Sequence, residues 1–300
     1  MKRYPVVTLL LLLASTAAFA GTPIDQTRNV PAHARIEIGN VKGAVHVTAW
    51  DRNQVHVTGT LGKGAKPLEI EQEGNTLRIQ VKGPEHKSWF NWHSDSEMEP
   101  STLNVQVPRG ASLSVDTVSA SSDVHGLSGG TIEANSVSGD VRIDADSPKV
   151  EVNTVSAGVK LSGSMQRADV QTVSGDITAP QVGQASDLET VSGQIHLSGG
   201  PFTNVSMNTV SGDIDVAGAL ASNGHIGVDT VSGDVTLDLP ASLSAQLHVS
   251  TFSGSIRSAF GSVVEKRHGP GSSLNSTVGS GDGRIEIQTF SGDVSLRSKQ

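Results

Sequence analysis

The chain has no cysteine among its 300 residues. No disulfide framework staples it, and no lipobox-type cysteine anchors it. Aromatic residues are only 3% of the total, so the core must be built from Val and Ile in many short strands. Long apolar runs are missing except for TLLLLLA near the start, and no later segment is apolar enough to span a bilayer as a helix. Basic charge is also in short supply. Setting Lys2 and Arg3 aside from the 22 basic residues leaves 20 against 30 acidic ones, a net charge of −10. Such a balance disfavours nucleic acid and anionic membranes as partners.

What is present begins with MKRYPVV, the apolar run, and Ala18-Phe19-Ala20 before Gly21. A basic start, a short apolar stretch and a small-x-small site predict a signal peptide over 1–20. The remainder is then extracytoplasmic, in the periplasm, at the cell surface or secreted, with no transmembrane anchor.

The rest of the chain repeats one phrase, seen as NSVSGDV, NTVSAGV, QTVSGDI, ETVSGQI, NTVSGDI, DTVSGDV and QTFSGDV. Its Thr or Ser falls at 117, 136, 154, 172, 190, 209, 230, 251 and 289. The steps of 18 to 21 residues, with a final one of 38, suit coils of two or three short strands. The fold expected is all-β, a β-solenoid resembling a parallel β-helix, over 101–300. A less regular β-rich segment precedes it over 21–100.

Within IEANSVSGDVRI the alternation places Ile132 and Ala134 on one face. Val137, Gly139, Val141 and Ile143 follow in a phase shifted by one. The shift predicts a bend at Asn135-Ser136 that returns both sets to the core. Gly139 then marks a position where no side chain fits, or an unusual dihedral angle. LEIEQEG and TLRIQVKG read as a hairpin through Glu73-Gly74-Asn75. Residues 258–284, rich in Gly and Ser, read as a loop excursion before the last coil.

The segments VPRGASLSVDTVSA, the repeated TVSGD(V/I) and IEIQTFSGDVSL resemble an exported bacterial β-strand-repeat family labelled as adhesins, over roughly 35–300. The resemblance implies an extracytoplasmic solenoid with no recognised catalytic site and no site residues to carry over.

Several chemistries can be weighed against a plain scaffold. Asp123, Asp140, Asp176, Asp213, Asp234 and Asp293 follow the Ser-Gly or Ser-Ser pair, and stacked coils would set them in a row. Calcium is one reading of that row, but Gly158, Gln194 and Ser255 interrupt it and no GGxGxD pattern occurs; a solvated turn is preferred. An ice-binding face needs an uncharged outward hydroxyl row, which Arg142, Lys160 and His196 break. His46 and His56 would meet across a hairpin centred on Asp51 and offer a metal site; unpaired surface histidines are the simpler reading. No metal ligand and no cofactor is assigned.

The compositional anomaly is EHKSWFNWHSDSEMEP, an aromatic loop within 84–100. Trp89, Phe90 and Trp92 are the candidate ligand-binding residues, since aromatics in a polar segment stack on sugars or anchor a partner. Capping the open end of the solenoid is the competing role. The function expected is a non-enzymatic envelope adhesin or binding scaffold, its partner an envelope polysaccharide or envelope protein. A β-helix lyase or hydrolase acting on polysaccharide is the alternative.

Overall fold

The computed structural model describes residues 21–84, 98–182, 184–265 and 271–299. They form twenty-two β-strands and no helix, so the fold is all-β and solenoid-like. The expected signal peptide lies outside the described residues.

Each coil contributes to two hydrogen-bonded ladders. The leading ladder holds the strands that run into the repeated phrase, and the trailing ladder holds those that leave it. In the leading ladder Ile132–Ser136 pairs in parallel with Val150–Thr154, and Ala168–Thr172 pairs with Ser186–Thr190. In the trailing ladder Val141 pairs with Val159, Ile177 with Ile195, and Ile214 with Val235. Strands Val141–Thr154 and Ile195–Ser211 run unbroken through the opposite corner and so belong to both ladders. Through them, six parallel strands close into a ring. One continuous core of Val, Ile, Leu, Ala and Met, with the single aromatic Phe202, fills the space between the ladders.

Spatial order departs from chain order at both ends, unlike a parallel helix that stacks in sequence throughout. Gly283–Ser291 pairs with Ile214–Ser232 on one side and Ala245–Thr251 on the other. Val294–Lys299 likewise lies between Val235–Pro240 and Ile256–Ser258. The last coil in sequence is therefore the penultimate one in space. The segment 258–284 leaves the stack to make this return, and it is not all loop. Within it Ser272–Val278 runs antiparallel along Ala245–Thr251 and covers the open edge.

The N-terminal end mirrors this arrangement. Arg35–Trp50 sits inside, paired with Ser112–Ser128, while Thr76–Gln80 and Ser101–Pro108 pair on its outer side. Gln54–Leu61 and Thr22–Asn29 then add antiparallel strands beyond. The hairpin expected through Glu73-Gly74-Asn75 forms, joining Glu69–Glu73 to Thr76–Gln80, with Gly74 at φ 58°. Reversed strands thus occupy sheet edges that would otherwise be free to pair with another chain.

Candidate binding surface

The phrase Thr-Val-Ser-Gly builds the corner between the ladders. Its Thr is buried in the leading-strand phase, as at Thr172 and Thr190, and Ser136 takes the same place. The hydroxyls of Ser136, Thr172 and Thr190 each accept the N–H of the glycine three residues later, at 3.0 Å. That bond compensates for burying a polar group. Gly139, Gly175 and Gly193 do not have positive φ. A Cβ there would run into a carbonyl oxygen of the preceding coil, on Ala120, Ala157 and Gly175 respectively. Close approach of backbones, not dihedral freedom, is what glycine supplies. Alanine occupies this position in two coils, as Ala120 and Ala157, and Thr154 donates to the carbonyl of Ala157 instead.

The phase shift consequently falls at Val137-Ser138, not at Asn135-Ser136, and it turns the valine outward. This corrects the placement of Val137 in the core. Val118, Val137, Val155, Val173, Val191, Val210, Val231, Phe252 and Phe290 are all 44–57% exposed. In space they stack in that order except that Phe290 precedes Phe252. Backbone bonds such as Ser156 N–H to Val137 O and Ser174 N–H to Val155 O, both 2.9 Å, tie each rung to the last. Phe290 and Phe252 stack with ring centroids 4.8 Å apart and planes within 10°. The outcome is an apolar ridge of nine rungs, about 38 Å long at the usual inter-strand spacing.

Two polar rows flank the ridge. Every rung residue is followed by a serine, from Ser119 to Ser291. Two positions before the rung lie Asp116, Asn135, Asn153, Gln171, Glu189, Asn208, Asp229, Gln288 and Ser250. Some of these are bonded to each other along the stack: Asn135 donates to Asp116 at 2.9 Å, and Asn153 to Asn135 at 3.1 Å. A groove of about 850 Å³ runs between this row and the ridge, from Asn153 to Phe252.

The outward aspartates prove to be backbone acceptors. Asp140 accepts the N–H of Gly158, Asp176 that of Gln194, and Asp213 that of Asp234. Asp234 accepts from Asp293, and Asp293 from Ser255. The gaps at Gly158, Gln194 and Ser255 are thus the donating ends of this ladder, which needs only an N–H there. Asp123 is out of the row: it pairs in register with Arg142, and its side chain meets His46 at 3.3 Å.

His46 and His56 do not meet across a hairpin, because Ser101–Pro108 lies between their strands. His56 instead contacts Asp25 at 2.9 Å, and Asp51 is held by Arg109 at 2.9 Å. Among the described residues no three His, Asp or Glu side chains gather as a metal-ligating group. The threonines of the repeat are buried, so they form no outward hydroxyl face. Glu37, Asp51, Asp282 and Asp293 are all held below the ordinary carboxylate range. The leading causes are hydrogen bonds from Arg78, Arg109, Ser280 and the Ser255 backbone respectively. A general acid needs the opposite displacement. Trp89, Phe90 and Trp92 lie outside the described residues.

The ridge is the feature that sequence reasoning missed. Its signal was present: core positions vary among Val, Ile, Leu, Ala and Met, whereas the rung position is Val seven times and Phe twice.

Several solved structures are similar to this chain. A protein named a "putative lipid binding protein" from Parabacteroides distasonis ATCC 8503 is 17% identical, with 92% of this chain and 97% of that one covered and a TM-score of 0.50. A "putative adhesin" from Bacteroides fragilis NCTC 9343 is 14% identical, with 92% and 97% covered and a TM-score of 0.42. No curated protein matches the chain. The Toastrack DUF4097 family model matches residues 33–297, and the chain belongs to that family.

Proposed function

We propose that this chain is a non-enzymatic, exported envelope protein, an adhesin or binding scaffold that holds its partner on the ridge-bearing face of the solenoid. One observation carries the reading: nine apolar side chains stand half exposed in an unbroken row, each fixed by rung-to-rung backbone bonds. Contiguous exposed apolar surface of this kind marks an interaction site in soluble proteins. The signal-peptide features of residues 1–20 support the envelope setting.

Co-sedimentation of the chain from Gly21 onward with isolated envelope fractions tests this. Retention should fall at least tenfold in the folded double variant Val173→Asp/Val191→Asp. Retention unaffected by that variant but lost in Trp89→Ala/Trp92→Ala would move the binding site to the aromatic loop. Retention of none of the three would end the envelope-binding reading.

A further inference from the structure

We infer that the partner of the ridge is the ridge of a second copy of this chain, docked antiparallel. This rests on the ridge being the binding face, and it names what that face holds.

The argument begins with period. The rungs recur at the β spacing, about 4.8 Å. A helix laid along them would advance about 5.4 Å per turn, slipping about 0.6 Å per rung and losing a whole rung over the row. An extended strand repeats on one face every two residues, about 6.7 Å, and drifts faster. A second ridge matches at every rung. An acyl chain has no period to match, and in the groove beside the ridge one wall is Asn153, Gln171, Glu189 and Asn208, polar groups that it would leave unpaired.

Area agrees with this partner, and two of the three acidic flanking residues face neutral ones. Nine side chains about half exposed offer on the order of 700 Å² per copy, close to what one partner contributes to a standard interface. A two-fold axis crossing the ridge produces an isologous contact of the commonest kind. The serine rows then face each other and carry no charge. In the other flanking row, Asp116 faces Ser250 of the second copy, and Asp229 faces Asn153 of the second copy. Glu189 alone meets its own counterpart. Docked this way, Val191 sits at the axis, Val173 faces Val210 of the second copy, and Val118 faces Phe252 of the second copy.

Because the chain has no cysteine, single cysteines report this geometry directly. Under mild oxidation Val191→Cys should form a disulfide-linked dimer. Val118→Cys alone should stay unlinked, and should link when mixed with Phe252→Cys. Sedimentation equilibrium should show a wild-type dimer, and Val173→Asp/Val191→Asp should be a monomer with an unchanged circular dichroism spectrum. A wild type that stays monomeric at all concentrations, or three cysteine variants that self-link equally, would overturn antiparallel pairing. If the wild type is monomeric yet the aspartate variant still abolishes envelope retention, the ridge remains the binding face and only the identity of its partner fails. Val191→Cys linkage with retention untouched by the aspartate variant would have the reverse meaning.

Discussion

Asp234 accepts the backbone N–H of Asp293 at 2.9 Å although fifty-nine residues separate them. The same carboxylate row continues from Asp293 to the N–H of Ser255, thirty-eight residues back toward the N-terminus. These two bonds record the exchange of coil order at the C-terminal end, where the last coil is slotted beneath the one before it.

That order predicts an unusual truncation phenotype. Ending the chain at Gly281 removes an interior coil, and with it the buried Ile285, Ile287, Val294 and Leu296. The outer strands Ala245–Thr251 and Ile256–Ser258 lose the neighbours that link them to the stack. Amide hydrogen exchange should show 245–258 stripped of protection, while 132–209 keeps its own, because solenoid stability is set by nearest neighbours. Retained protection at 245–258 would contradict the coil order.

The corner threonines should differ in cost. Thr190→Val removes the acceptor of the Gly193 N–H and should destabilise by about 1 kcal/mol. Thr209 is buried with no hydrogen-bond partner on its hydroxyl. Thr209→Val should therefore be neutral or stabilising, since it removes an unsatisfied polar atom. Chemical denaturation of both variants checks this, and an equal loss in each would refute the distinction.

Acid should weaken the bond from the Ser255 N–H to Asp293. The Ser255 backbone N–H is the main cause holding the Asp293 carboxyl below its ordinary value. A depressed folded-state pKa contributes stability that is fully present above the unfolded value, about 3.9, and is lost as pH falls through the folded one. Calorimetric melting temperatures should hold from neutrality to mild acid and then fall below about pH 4. Asp293→Asn keeps an acceptor oxygen without the titration and should flatten that acid limb. An unchanged limb would place the acid sensitivity elsewhere.

The repeat, the all-β class and the solenoid character were legible because a period of 18 to 21 residues leaves few architectures open. The corner was misread by two residues. Alternation alone counts Val137 as core and Ser136 as bend, and nothing in hydropathy announces that a hydroxyl goes inside when a glycine N–H awaits it. The same kind of slip put Asp123 in the aspartate row, since Ser121-Ser122-Asp123 mimics Ser138-Gly139-Asp140 but stands two residues farther from its corner Thr117. Coil order was hidden for a different reason. Neighbouring repeats in sequence are the natural guess for neighbours in space, and only the step of 38 hinted otherwise.

Interleaved ends leave the molecule with a middle that can change and extremities that cannot. Between Ile132 and Ser211 each coil meets only the one before and the one after, so copying 18 residues there adds one rung and disturbs no other pairing. Copying a terminal coil would separate strands that must close over each other. The chain is in that sense an adjustable ruler between two fixed end pieces, and its reach is set by how many times a single phrase is written.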